Sequence, residues 1–383
     1  MKKLMGSQLK FIENFSEIKE GDFNDILNKN DSPFIKYPFL KALEQSNSVC
    51  ALNGWKPSHL IELDNKKLKG FMPLYLKDNS QGEFVFDHSW SYALNRTGRK
   101  YYPKLLTAIP FTPCESRKII AKEKSDDFID FTKDFMEKSN IESWHVLYPD
   151  KKLTKILNNN GFIERSGYKF IWNNKNYETF EDYLKVFRSR QRKNIKNERK
   201  KISDYGISFT VKDAKSLSEK DWETFYKFYK NTYEQRLQRP YLNKKFFDLI
   251  NNSKEFLEPV IFFAHLDKEI IAGSLCFKNN DCLYGRHWGA KYDIDSLHFE
   301  CCYYQGIEYC IKNGLKNFDP GVQGEHKIRR GFEPLETNSY HFILKEDFRN
   351  AILDFCNREK EEIKNYLEAC KRYTPFNKEY KIN

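Results

Sequence analysis

Apolar positions along this chain gather in short runs, and the runs form two matching series. Residues 59–90, HLIELDNKKLKGFMPLYLKDNSQGEFVFDHSW, and residues 261–288, IFFAHLDKEIIAGSLCFKNNDCLYGRHW, share one outline. Each opens with an apolar run ending in Leu-Asp and passes a polar turn. A second run with an early glycine (Gly70 or Gly273) follows, then an Asn-containing turn and a last run ending in Trp90 or Trp288. Runs of this length bounded by Asn, Asp and Gly predict strands joined as hairpins. Each series therefore predicts a three-strand meander that stops at its tryptophan.

The segments downstream also correspond. WHVLYP (144–149) predicts a strand, then a short helix over DKKLTKILNNN and a new strand from Gly161-Phe162; KNFDP (316–320) predicts a strand, then GVQGEHKIRR and a new strand from Gly331-Phe332. Between meander and strand in the second series lies SLHFECCYYQGIEYCIKNG. Leu297, Cys301, Tyr304, Ile307 and Ile311 fall on one helical face there, with Ser296 as the expected N-cap and Gly314 as the stop. A long internal repeat decides a fold. The plan is meander, helix, strand, short helix and hairpin, twice. A strand before and a strand after a crossover helix become parallel neighbours, and splaying of such neighbours opens a cleft for a ligand.

Two further helices complete the pattern. Residues 179–204 predict one capped helix starting at Thr179, with Phe180, Tyr183, Leu184, Phe187, Ile195 and Ile202 as its apolar stripe. Residues 346–373 predict an amphipathic helix carrying Phe348, Ile352, Phe355, Ile363, Tyr366 and Cys370. The segments expected are an N-terminal domain at 1–175, a basic connecting helix at 176–206, a C-terminal domain at 207–345, and a helix with tail at 346–383.

Composition sharpens this picture. With 40% hydrophobic and 16% aromatic residues in 383, the chain is built for folded cores. Its longest apolar runs are strand-sized, so no transmembrane or secretory segment is expected. Nine cysteines without a CxxC framework suit reduced thiols in a cytoplasm. His298 and Cys301 stand three apart, yet no second pair at ligand spacing accompanies them, and no metal site is expected. The net charge of +11 is concentrated: RSRQRKNIKNERKK (188–201) holds eight cations and one acid, Glu198. Such a helix is either a solvated face or a contact surface for phosphates, whose affinity falls with salt.

The order of elements resembles the GCN5-related N-acetyltransferase fold, present twice in an α/β chain with mixed sheets. The motifs GEFVFDHSWSYALNRTGRKYYPKLLTAIPFTP, SRQRKNIKNERKK, LYGRHWGAKYDIDSLHFECCYYQGIEYCI and GVQGEHKIRRGFEP are similar to the FemAB-like family of bacterial N-acyltransferases, often labelled as peptidoglycan-biosynthesis proteins. That resemblance covers nearly the whole chain. It implies transfer of an acyl or aminoacyl group to an amine, as in Fem-type ligases that use aminoacyl-tRNA, or in single-domain relatives that use acetyl-CoA. No tightly bound cofactor is implied; acyl-CoA or aminoacyl-tRNA serves as co-substrate, and a small-molecule or peptide amine as acceptor. The alternative is a non-catalytic RNA-binding or scaffold protein on the same fold.

Candidate residues follow from what amine acylation needs: a proton acceptor, oxyanion stabilisation and a grip on the donor. Glu325, His326, His287, His88 and His145 are candidates for proton transfer, because imidazole titrates near neutrality and a buried carboxylate can be raised toward it. Arg286, Lys327, Arg329 and Arg330 are candidates for charge stabilisation, with Trp288 and Gln323 beside them. Residues 91–117 predict an expanded loop in the first repeat, where Tyr92, Arg96, Tyr101, Tyr102, Lys104 and Arg117 form a basic and aromatic donor-binding set. Arg190, Arg192 and Asn194 extend that set onto the basic helix, Asn194 because RKNI resembles a segment of Fem-type ligases. The acetyltransferase fold normally holds pyrophosphate on an Arg/Gln-x-x-Gly-x-Gly/Ala turn. The equivalent GRHWGAKYDIDSLHF lacks that spacing, which counts against acetyl-CoA.

Overall fold

The computed structural model describes residues 3–4, 7–121, 125–322, 324–377 and 379–380. The chain divides into two compact units, Met1–Gly167 with Glu336–Lys364, and Tyr168–Leu335 with Asn365–Asn383. This differs from the segments drawn on the sequence, because pairing rather than order assigns the last strand. Ser339 to Ile343 of the strand Glu333–Ile343 run antiparallel to Ser143–Leu147 and so complete the first unit.

In the first unit, His59–Asp64 and Lys67–Met72 form the expected hairpin. The parallel pair is Lys104–Thr107 with Ser143–Leu147, and the helix Ser125–Ser139 crosses between them. Leu60, Met72, Leu105, Phe128, Trp144, Val146 and Tyr340 close the core on this sheet. The expected strand ending at Trp90 is not there: His88–Asn95 is a helix, and the supposed loop contains the central strand Lys104–Thr107. Phe84 at φ +61° breaks the extended run. Trp90 and Leu94, one helical turn apart, then enter a cluster with Tyr101, Ile343, Phe348 and Ile352.

The second unit keeps the predicted plan more closely. Pro259–Leu266, Glu269–Lys278 and Cys282–Ala290 form an antiparallel meander, flanked by Ser208–Asp213. Cys282–Ala290 runs parallel to Asn317–Asp319 at its first residues, Cys282 to Tyr284. The crossover helix consists of Leu297–Phe299, a π-helical turn Glu300–Tyr304, and Gln305–Lys312. Its N-terminus departs from expectation: Ser296 sits at φ +69° and its side chain makes no capping bond.

The segment 179–204 is two helices, Phe180–Lys185 and Ser189–Asp204, rather than one. Thr179 and Asp182 form a reciprocal capping box at the first. Arg192 donates to the carbonyls of Phe187 at 3.0 Å and Lys185 at 3.3 Å, satisfying groups freed where the first helix ends. Phe180, Tyr183, Leu184, Phe187 and Ile195 join Tyr304, Ile307 and Phe318 in the core of this unit, while Ile202 packs in a second cluster. The C-terminal helix forms as expected, Glu346–Arg372. Among the described residues no helix is long and apolar enough to cross a membrane.

Candidate functional site

In the second unit a cavity of about 400 Å³ opens beside the strand Cys282–Ala290. The strand contributes Arg286, His287 and Trp288; the crossover helix contributes His298, Cys302 and Tyr303; the segment after Asn317–Asp319 contributes His326 and Lys327. The last two ride on a 3-10 turn, Glu325–Arg330, entered through Gly324 at φ +101°. A Cβ at Gly324 would lie 2.4 Å from the His326 ring, so only glycine permits this approach.

Local sequence explains why these groups converge. His298 and Cys302 are four residues apart and both line the cavity, while the buried Cys301 donates its thiol to the Phe262 carbonyl at 3.3 Å. The π-helical turn carries Tyr303, whose hydroxyl lies 2.9 Å from His326 Nε2. Trp288 packs edge-on to His298, with centroids 5.4 Å apart.

The electrostatics follow from burial among cations. Burial, with Arg286 adjacent, pushes His287 down to about 3. Burial, then His326, Arg330 and Lys327, lowers His298 to about 4. His326 is also lowered, by burial and then by Arg330 and Lys327. All three imidazoles are neutral at pH 7, so each offers one donor and one acceptor. Lys327 is buried; its ammonium donates to the Gly321 carbonyl at 2.8 Å and the Val322 carbonyl at 3.4 Å. Burial lowers it to about 8, Asp319 opposing and Arg286 reinforcing that shift. Asp319 would be raised by burial, but Lys169 at 2.9 Å, Arg286 and the Gly321 amide at 2.9 Å hold it well below the carboxylate range. The cavity therefore presents neutral bases beside a tunable ammonium, in a field of positive sign.

Other candidates of this unit fall elsewhere. Glu325 is exposed and accepts from the Tyr366 hydroxyl at 2.9 Å, so it stands on the outer side of the turn. Arg329 is exposed, whereas Arg330 is buried and paired with Glu198 at 2.8 Å; both corrections follow from the 3-10 turn, whose three-residue period buries Lys327 and Arg330 and leaves Glu325, His326 and Arg329 exposed. Gln323 lies outside the described residues. In the basic segment 188–201 half of the cations are in ion pairs: Lys196 meets Glu181, Arg199 meets Glu300 and Glu308, Lys200 meets Asp204, and Lys201 meets Asp295. Arg192 serves the helix junction, Asn194 is exposed, and among the described residues Arg190 and Lys193 are exposed without an ion pair.

In the first unit a cavity of about 330 Å³ is lined by Arg117 among the candidates, and the others lie elsewhere. Lys104 is fully buried and donates to Ser80 at 2.8 Å, Glu83 at 2.8 Å and Asp87. Tyr101 donates to Asp87 at 2.6 Å and lies 3.1 Å from His145 Nε2; His145 Nδ1 meets His341 Nδ1 at 2.6 Å. These three candidates are therefore interior groups, each closed by partners that sequence spacing hides. Tyr102 is half-buried and bonds Ser80 at 2.8 Å, and Arg117 is paired with Asp31. His88, Tyr92 and Arg96 are exposed on the helix His88–Asn95 and its cap.

One stability consequence can be checked directly. Burial lowers His145 to about 3 and His341 well below its ordinary value, as it does His287 and His298. A group with a depressed folded pKa binds more protons unfolded, so stability falls as pH drops below about 6.5, by about 1.4 kcal/mol per unit for each such imidazole. Glu83, raised by burial to about 7, acts oppositely and offsets one of them down to about pH 4.5. Urea unfolding should show a lower midpoint at pH 5 than at pH 6.5; equal midpoints would contradict neutral buried imidazoles.

Sequence reasoning weighed His298 only as a metal ligand and missed Cys302, Tyr303, Asp319 and Lys169. His298 and Cys302 were readable as a pair at helical spacing. Asp319 and Lys169 meet only through tertiary pairing, and no local signal marks them.

Comparison with known proteins adds the family. The FemAB-like profile, described as peptidoglycan biosynthesis/recognition, matches residues 14–378. The chain has no significant match among curated proteins. Among solved structures it is similar to FemX, with a TM-score of 0.51 and 12% identity over 88% of this chain and 98% of that one. It is also similar to L-PGS from Bacillus licheniformis, with a TM-score of 0.50 and 9% identity over 87% and 99%. A conserved protein of Bacteroides thetaiotaomicron VPI-5482 gives 0.50 and 12% over 88% and 100%. At such identities the likeness is one of fold. The fold class is the expected one, α/β with mixed sheets; the second unit follows the plan of the repeat and the first departs from it at the helix His88–Asn95.

Proposed function

We propose, from the premise that the chain belongs to the FemAB-like family, that its second unit transfers an acyl or aminoacyl group from an activated donor to an amine. The observation that carries this reading is the cavity holding three neutral imidazoles and a lysine near pH 8. An amine reaches neutral solution as an ammonium and must shed a proton before it attacks. The positive field that keeps the imidazoles neutral also disfavours that ammonium, and a neutral His298 or His326 ring, the latter through the nitrogen not bonded to Tyr303, takes the proton.

The amine nitrogen then bonds to the acyl carbon, and the carbonyl oxygen gains charge in the tetrahedral intermediate. Lys327 gives two protons to carbonyls and has a third for that oxygen. Collapse breaks the bond from acyl carbon to the donor's oxygen, or sulfur for a thioester; the imidazolium returns its proton to the leaving group, and the nitrogen, which attacked carrying two hydrogens, releases one to solvent as the amide forms. No covalent enzyme intermediate is needed.

An aminoacyl ester of RNA fits the donor better than acyl-CoA. The turn before the crossover helix carries Asp293 and Asp295 where a pyrophosphate would sit, and like charges repel. Arg190 and Lys193 are available to a phosphate backbone. Purified protein should consume aminoacyl-tRNA in an amine-dependent way; failure with every aminoacyl-tRNA and acyl-CoA of a broad panel, across varied amines, would sink the reading. The double variant Arg190→Glu, Lys193→Glu should weaken tRNA binding about tenfold or more and flatten the salt dependence by about two in slope. An unchanged slope would remove RNA from the scheme and leave the thioester donor.

A further inference from the structure

Of the two acids on the basic helix, Glu198 and Asp204, Glu198 does not belong to its solvent face. Glu198 Oε1 accepts from Arg330 Nη2 at 2.8 Å, and Oε2 accepts from the Tyr304 hydroxyl at 2.5 Å. Arg330 is buried against Phe299, its guanidinium carbon 3.3 Å from the ring centroid, and its Nη1 donates to the His326 carbonyl at 2.8 Å. The Arg330 carbonyl in turn accepts from the Tyr183 hydroxyl at 2.7 Å. The turn ends at Gly331, φ +82°, where a Cβ would lie 1.9 Å from that same hydroxyl. Arg330 is thus gripped at both its side chain and its backbone, and it grips the backbone of His326.

The π-helical turn closes the arrangement. Tyr303 holds the His326 imidazole and the next residue, Tyr304, holds Glu198. Side chain, backbone and neighbouring helix converge on residues 326–330 from one carboxylate. A charged hydrogen-bonded pair of this kind is directional and resists displacement.

We infer that Glu198 is a positioning residue for the cavity: acting through Arg330, it fixes His326 and Lys327 and ties the basic helix to the reacting end of the site. The inference rests on the transferase reading for its kinetic consequence, but not for its geometry. A purely structural ion pair would change the denaturation midpoint and leave the cavity groups of the folded protein unmoved.

The experiment uses the full chain with Glu198→Ala and Glu198→Gln, and Lys200→Ala as a control on the same helix, where Lys200 pairs with Asp204. The imidazole resonances of His326, assigned by their loss in His326→Gln, are read without substrate. Steady-state kinetics are read on the best donor and amine. Glu198→Ala should shift the His326 resonance and lower kcat by about 10- to 100-fold with KM changed little. Glu198→Gln keeps an acceptor oxygen and should recover most of both, and Lys200→Ala should match the unaltered protein. If Glu198→Ala does not fold, Arg330→Lys, which loses the bond to the His326 carbonyl, is expected to give the same resonance shift. A folded Glu198→Ala with an unmoved His326 resonance overturns the inference, as does an unmoved kcat. Absence of any amine acylation by the unaltered protein removes the transferase reading instead, and the resonance then decides the clamp alone.

Discussion

Replacing Lys327 by Met is expected to lower kcat about 10²- to 10³-fold, the usual cost of removing one donor from a developing oxyanion. The size of the effect follows from where the ammonium sits. It is buried, so no water screens it, and its fixed bonds to the Gly321 and Val322 carbonyls remove the need to reorganise during reaction. Methionine matches the length of the side chain but offers no proton. The pH profile carries an independent signature. The stabilising species is the protonated one and burial brings it to about 8, so the unaltered protein should lose kcat as pH rises through that value. Lys327→Met should show its low rate without this limb. A variant that retains a full rate, or a profile in which the limb persists, would take Lys327 out of the chemistry. Trp and Tyr fluorescence during urea unfolding checks that the variant is folded, since two carbonyls lose their donor.

The contrast between the two units shows what a single sequence discloses. The second unit was legible because its meander, crossover helix and Gly-bounded turn follow local rules, and Cys282–Ala290 pairs with Asn317–Asp319 as the repeat requires. The cluster in residues 324–327 stood out in the sequence because its counterpart, the helix Lys151–Asn159, lacks it, and His326 and Lys327 of that cluster line the cavity. The first unit misled at GEFVFDHSW and the stretch after it: GEFVFDHSW has the apolar content of a strand, but Asp87 turns inward to Lys104 and Tyr101, the chain starts a helix there, and the expected loop holds the strand Lys104–Thr107. A charge read along a sequence looks exposed. Lys104 and Lys77 are interior: Lys104 is held by Asp87, Glu83 and Ser80, 17 to 24 residues away, and Lys77 by Glu83, and the spacing of charges along the chain does not reveal that they are buried. Glu198 hid in the opposite way, as a lone acid that seemed to dilute a basic face while it was the partner of Arg330, 132 residues onward.

That interior charge network is where the largest loss of stability is expected: Lys104→Met should cost about 3–5 kcal/mol, the range for removing one partner of a buried ion pair. All three ammonium protons of Lys104 are used, on Ser80, Glu83 and Asp87. Burial alone would raise Asp87, and Lys104 is the chief group that holds it well below its ordinary value. Without Lys104 that carboxylate either remains charged in the interior or takes up a proton at neutral pH, and both are costly. Lys77 does not substitute, for it lies 3.9 Å from Glu83 over the face of Trp55, and burial lowers it to about 7. Urea denaturation at pH 7 measures the loss. The triple variant Lys104→Met, Glu83→Gln, Asp87→Asn removes both orphaned charges while keeping shape, and should recover most of the stability, since neutral isosteres need no counterion. If the single variant costs under about 1 kcal/mol, a surface-pair magnitude, the carboxylates reach solvent and the interior network is not what holds the first unit together. If the triple variant fares no better than the single one, packing around the lysine stem rather than charge balance sets the cost.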